Sequence, residues 1–159
     1  MTLALPFRRY SSPRLACLRD VSLFADLTLP ELAIVDSLLH EREYLAHEVI
    51  FDEGDVGQTI FLVLEGVVAI CAQGSPYEGH LAGLGPGEFF GELGLLEDST
   101  RSAQAWAASD CRLLVLFRED FNGLMESHLR IGHKIGRQLL RHLGRRLRDA
   151  GPAGAQQSR

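Results

Sequence analysis

Between Tyr44 and Phe117 no apolar pattern lasts longer than one short run, and this most limits the folds open to the chain. Runs of apolar and β-branched residues, clearest at 59–64, 67–72, 80–84, 102–107 and 111–117, alternate with Gly, Asp, Pro and Ser clusters at 52–58, 73–79, 85–88 and 97–100. Each run is short for a helix and right for a strand. Many short strands at regular spacing predict an antiparallel β-roll or sandwich. Gly85-Pro86-Gly87 reads as a tight turn leading into the segment that follows.

Helical patterns flank this region. Thr28-Leu29-Pro30-Glu31 is a capping box with Pro in the first turn, and Leu32, Ile34, Val35, Leu38 and Leu39 recur at helical spacing. A helix over about 30–40 follows. Beyond Phe117, Asp120 or a neighbour caps a short helix running through Met125, and a longer one extends from His128 to Asp149, roughly 33 Å. Ile131, Ile135, Leu139, Leu143 and Leu147 form an apolar stripe on it; Arg130, Lys134, Arg137, Arg141, Arg145 and Arg148 form a basic one. Gly151-Pro152-Ala153-Gly154 is expected to stop that helix, leaving 150–159 as a disordered tail. Gly132, Gly136 and Gly144 lie within it, and two readings stay open. Either the backbone there approaches a second copy or the β-roll closely, or the helix tolerates a marginal composition. Residues 1–14 read as an N-terminal arm and 15–149 as one domain, with the roll at 41–117 and the C-terminal helices at 118–149.

The chain carries 159 residues, enough to bury a core without staples. The net charge of −5 is unevenly divided. Residues 1–117 hold 7 basic and 17 acidic side chains, whereas 118–159 hold 9 basic and 4 acidic. A basic final helix on an acidic body can dock on its own domain or attract an acidic partner. No apolar run approaches the ~18 residues of a membrane span, and Met1 to Tyr10 lacks the form of a signal peptide, so a cytoplasmic location is expected. Cys17, Cys71 and Cys111 show no metal or disulfide spacing and read as reduced, largely buried thiols; the scattered histidines give no metal site.

One constellation carries chemistry. Phe89-Phe90-Gly91-Glu92-Leu93-Gly94-Leu95-Leu96 is followed, nine residues after Glu92, by Arg101-Ser102-Ala103. Arg offers a fork of N–H donors that matches two phosphate oxygens. An ionised Glu only accepts, so it suits a hydroxyl and repels a second phosphate. Gly91 lets a ligand approach the backbone. Arg101, in a strand reading Ser-Ala-Gln-Ala-Trp-Ala, is expensive to bury unless paired. Its alternatives are a phosphate, or a salt bridge to Glu92, Glu97 or Asp98. Glu92 either serves a ligand or offsets a helix dipole.

This block resembles the phosphate-binding cassette of cyclic-nucleotide-binding domains, found in the bacterial catabolite activator, in the regulatory subunits of cAMP-dependent protein kinase and in cyclic-nucleotide-gated channels. Leu18-Arg19-Asp20-Val21-Ser22-Leu23-Phe24 is similar to the family's entry segment, Ile50-Phe51-Asp52-Glu53-Gly54-Asp55 to its first sharp β-turn, and Ile60 to Val68 to its central strand, glycine turn and next strand. The resemblance implies a mainly β fold: a jelly-roll of about eight strands with an N-terminal helix and a long C-terminal helix. It places Arg101 on the cyclic phosphate and Glu92 on the ribose 2′-hydroxyl. Ser102, the Ala103 N–H and the Gly91 to Leu93 turn add further donors, and Phe90, Ile70, Ala82 and Leu84 form apolar walls. Ser102 rather than Thr leans toward cAMP over cGMP. Trp106 reads as a packing residue under the N-terminal helices.

One departure stands out. Where the catabolite activator presents small hydroxyl residues to the adenine, this chain has Arg146 and Leu147, so Arg145 or Arg146 is left to stack on the purine. No helix-turn-helix follows the long helix, so sequence-specific DNA binding is not expected, and no catalytic set is evident. The leading reading is a stand-alone cyclic-nucleotide receptor whose C-terminal helix moves on binding, with no further cofactor. An effector protein or a second copy held through that helix would read the change. A ligand-free interaction module of the same fold, and a basic helix binding nucleic acid or anionic membrane, are the alternatives.

Overall fold

The computed structural model describes residues 13–71 and 82–156; the side chains of Ala82 and of residues 150–156 lie outside the description. The N-terminal helices are α1 (Pro13–Arg19), a 3-10 turn (Ser22–Phe24) and α2 (Leu29–Asp36). The strands are β1 (His40–Tyr44), β2 (Val49–Phe51), β3 (Val56–Gly57), β4 (Thr59–Glu65), β5 (Val68–Cys71), β6 (Ala82–Leu84), β7 (Phe89–Phe90), β8 (Ser99–Thr100), β9 (Gln104–Ala107) and β10 (Cys111–Phe117). Between β7 and β8 lies the single-turn helix α3 (Leu93–Leu96), and after β10 come α4 (Arg118–Ser127) and α5 (Leu129–Gln156).

Two four-stranded sheets, β1-β10-β4-β7 and β2-β9-β5-β6, with the small pair β3-β8, make the roll, and every pairing is antiparallel. The central strands β4 and β10 bury both faces. Ile60, Leu62, Leu114 and Leu116 point to the helices and pack with Leu18, Phe24, Leu32, Ile131 and Ile135. Phe61, Val63, Leu113 and Val115 point into the roll against Val68, Phe90, Ala105 and Ala107. The strand period of two therefore serves two cores at once. The turn from β4 to β5 needs Gly66, whose φ is +89° and where a Cβ would stand 2.2 Å from the Asp110 carbonyl oxygen.

The capping box forms as read: the Thr28 hydroxyl accepts from the Glu31 amide, and the Glu31 carboxylate accepts from the Thr28 amide. Several boundaries differ. Helix α2 ends at Asp36, because Leu38 and Leu39 turn into β1. Ten strands are described rather than about eight, because short edges such as β3 and β8 exist only through their pairing. Helix α4 begins at Arg118 with Phe117 at its cap and no side-chain cap bond, so Asp120 lies in the first turn instead of capping it. Helix α5 does not stop before Gly151-Pro152 but continues to Gln156. The expected tail is thus helical to Gln156, while 157–159, the arm at 1–12 and the expected turn at 73–79 lie outside the described residues.

The apolar stripe on α5 drifts. A four-residue spacing rotates by roughly 40° per step, so Ile131, Ile135 and Leu139 are buried while Leu147 is 74% exposed. Gly132 has a reason the sequence did not give: a Cβ there would meet Met125 of α4 at 2.4 Å, whereas Gly136 and Gly144 face open space. Trp106 is half-buried and stacks on His47 at 6.2 Å between ring centroids, away from the N-terminal helices. Of the thiols only Cys111 is buried; Cys17 is exposed, because it sits on the outer side of α1.

Two contacts fix the first half of α5. Lys134 pairs with Glu31 at 2.6 Å, and the Gln138 amide donates to Asp26 at 2.7 Å.

Candidate functional site

A cavity of about 530 Å³ opens between the roll and the second half of α5. The turn from β7 through α3 forms one wall, β8 and the start of β9 another, and the side chains of α5 close the third. Gly91, with φ at +77°, turns the chain so that Glu92 stands immediately before α3. Only a glycine fits there, since a Cβ would stand 2.5 Å from Arg101 Nη1.

Arg101 is buried in the connection between β8 and β9, not within a strand. Its Nη1 donates to the Gly91 carbonyl at 3.1 Å, and its Nη2 donates to the Thr59 carbonyl at 3.0 Å and hydroxyl at 2.8 Å. Its guanidinium carbon lies 4.4 Å from the centroid of the Phe51 ring, itself tilted against Phe61 and Phe90. Burial lowers the Arg101 pKa, opposed by Asp55 and Glu92. No ion pair among the described residues includes Arg101: Asp98 pairs with Arg118, and Glu92 pairs with Arg146. Among the described residues this buried cation is held by neutral oxygens and an aromatic face, with no carboxylate in direct contact.

Glu92 is buried, with its side chain only 4% exposed, and it makes no helix-capping bond. Arg146 Nη1 of α5 donates to its Oε1, and His142 Nε2 lies 3.7 Å from the same atom. The His142 ring packs on Phe89 at 4.5 Å. Burial above all pushes its pKa down; Glu92 opposes that, and Arg146 and Arg145 reinforce it.

Of the residues expected at the site, Gly91, Glu92, Leu93, Arg101, Ser102, Ala103, Phe90, Ile70 and Leu84 all line this cavity. Ala82 sits in β6 opposite Ile70, and its side chain is outside the described residues. Arg146 lines the cavity and pairs with Glu92, while Arg145 is exposed outside it. Sequence reasoning missed Phe51, Thr59, His142 and Asp149. The last two share a spacing signal with Arg146: positions 142, 146 and 149 fall on one helix face. Thr59 gave no signal, because it meets Arg101 only through the fold.

Residues 41–128 match the family described as cyclic nucleotide-binding domain. The chain is 38% identical over 135 residues to the cyclic AMP receptor protein of Thermus thermophilus, covering 80% of this chain and 58% of that protein. It is 35% identical over 124 residues to a cyclic nucleotide-gated potassium channel of Rhizobium etli, covering 78% of this chain and 34% of the channel. It therefore spans less than two thirds of either relative. The crystal structure of the Thermus thermophilus catabolite activator protein superposes with a TM-score of 0.77 at 38% identity, over 86% of this chain and 63% of that one. A cyclic nucleotide-binding domain from Methylobacillus flagellatus superposes with a TM-score of 0.74 at 26% identity, over 90% and 79% of the two chains. The jelly-roll, the cassette between β7 and β9 and these similarities together place the chain in the cyclic nucleotide-binding domain family.

Proposed function

We propose that this domain is a receptor for cyclic AMP, working as a regulatory switch and not as a catalyst. The observation that carries the reading is Arg101, a buried cation whose hydrogen-bond partners among the described residues are all neutral, lining a cavity of nucleotide size. A cyclic phosphate is a permanent monoanion and supplies the missing charge. The ribose 2′-hydroxyl donates to Glu92, while Ser102 and the Ala103 amide complete the phosphate contacts. Phe90, Ile70, Ala82 and Leu84 flank the sugar and base, and His142, Arg146 and Asp149 line the cavity on the α5 side. Ser102 favours cyclic AMP over cyclic GMP, and the cyclic AMP receptor of Thermus thermophilus supports the same choice.

The second half of α5 changes position on binding, and a partner reads that change. For this to be a switch, ligand must bind the two helix positions with different affinity. A second copy of the chain is the partner that suits α5 best. Leu129, Leu140 and Leu147 are each more than 70% exposed and, with Gly136 and Gly144, fall on one face at near-heptad spacing. Sedimentation of the chain with and without ligand tests this pairing, and a monomer under both conditions rejects it.

Thermal unfolding with cyclic AMP and cyclic GMP tests the receptor itself. Ligand at about 100 times its Kd adds roughly 2.7 kcal/mol of stability. If neither nucleotide moves the melting curve, the fold serves here as an interaction module without ligand.

A further inference from the structure

We infer that Arg146 determines which ligands can operate the switch, by holding Glu92 until a ribose 2′-hydroxyl displaces it; the inference rests on the cyclic-nucleotide reading above. Glu92 is the buried acceptor that faces the cavity, and its Oε1 accepts from Arg146 Nη1, with His142 Nε2 at 3.7 Å from the same oxygen. A hydroxyl that donates to the same Oε1 competes with that guanidinium. The competition is uneven in a useful way. The Arg146 side chain is 61% exposed, so once displaced it finds water nearby, whereas the Glu92 side chain is 4% exposed and depends on whichever donor reaches it.

Displacement acts on one part of the helix only. The first half of α5 is tied to Glu31 through Lys134 and to Asp26 through Gln138. Beyond Gln138, the described side chains with polar contacts to the cassette are Arg146, paired with Glu92, and His142, 3.7 Å from the same carboxylate. His142 stays packed on Phe89, so releasing Arg146 from Glu92 loosens α5 beyond that contact. A ligand without the 2′-hydroxyl can still give Arg101 its phosphate, because Arg101 and Glu92 have separate partners. Such a ligand binds and leaves the latch closed.

Calorimetric titration of the full chain with 3′,5′-cyclic AMP and its 2′-deoxy counterpart, on wild type and Arg146→Met, tests this. With its competitor gone, the variant binds cyclic AMP about two- to fivefold more tightly, and its affinity for the deoxy ligand stays at the wild-type value. In wild type, hydrogen exchange over residues 142–156 rises with cyclic AMP and stays unchanged when the deoxy ligand saturates the site. Equal or weaker binding of cyclic AMP by Arg146→Met overturns the inference, since Arg146 is then a neutral bystander or a ligand contact. Equal exchange with both ligands overturns it as well. If neither protein binds either nucleotide, the receptor reading falls with it, a result distinct from binding without the predicted difference.

Discussion

Arg101 and Glu92 are the two buried charged residues among those described, and neither is the other's partner. Arg101 is held by Gly91 and Thr59, Glu92 by Arg146, and the cavity lies between. Two opposite charges kept apart at one hollow suit a ligand with an anion at one end and a donor at the other.

Replacing Arg101 by Ala removes the group proposed to hold the phosphate. Loss of a buried, charge-assisted partner costs roughly 2–5 kcal/mol of binding, which titration reads as at least a thirtyfold weaker affinity, by about 1.4 kcal/mol per tenfold. The melting temperature without ligand stays the same or rises, because an unpaired buried cation has been removed.

Thr59 fixes the direction of that guanidinium through its hydroxyl, 2.8 Å from Nη2. Thr59→Val leaves the carbonyl bond and loses the hydroxyl bond, worth about 1.5 kcal/mol to a charged donor, so ligand binding weakens roughly tenfold. Thr59→Ser restores it. Equal affinities for the Val and Ser variants would show that the hydroxyl does not position Arg101.

Gly57 and Gly66 separate binding from stability. A Cβ at Gly57 would stand 2.6 Å from Arg101 Nε, so Gly57→Ala displaces the guanidinium and weakens ligand binding, with little change in melting temperature. A Cβ at Gly66 meets backbone at 2.2 Å, at a φ of +89°. Gly66→Ala therefore destabilises the fold by about 2 kcal/mol or more, lowering Tm by roughly 4–8 °C. Differential scanning calorimetry and titration on the two variants check the contrast.

His142 predicts a pH dependence. Its folded pKa lies below the ordinary 6.5, chiefly through burial. At pH values between the two, the unfolded chain holds a proton that the folded chain does not. The stability from this group is complete above pH 6.5 and is lost as pH falls through the folded pKa. Urea unfolding of His142→Gln shows a flatter profile below pH 6.5 than wild type.

Residues whose chemistry is local were legible in the sequence. Thr28 and Glu31 satisfy each other across three positions, and the capping box forms as read. Gly91, Glu92 and Arg101 announce a binding loop by residue type and spacing, and all three line the cavity. Strands β4 and β10 are long enough for their apolar runs to show. Strand β1 reads His-Glu-Arg-Glu-Tyr and carries no apolar signal; it is a strand because β10 lies beside it. Thr59 and Phe51 reach Arg101 from 42 and 50 positions away, which only the folded roll brings together. The pairing of Arg146 with Glu92 is not legible either, because sequence shows what a side chain can bond but not which partner stands nearest.

Helix α5 is gripped at Lys134 and Gln138, and the next polar contact to the body of the protein lies further along, at Glu92. A rod clamped near one end is a lever. Asp149 lies about 16 Å beyond Gln138 at ~1.5 Å per residue, so a tilt of about 10° at the clamp carries that tip roughly 3 Å, by the same helix geometry. The amplification is mechanical, and it needs no change in the packing of the roll.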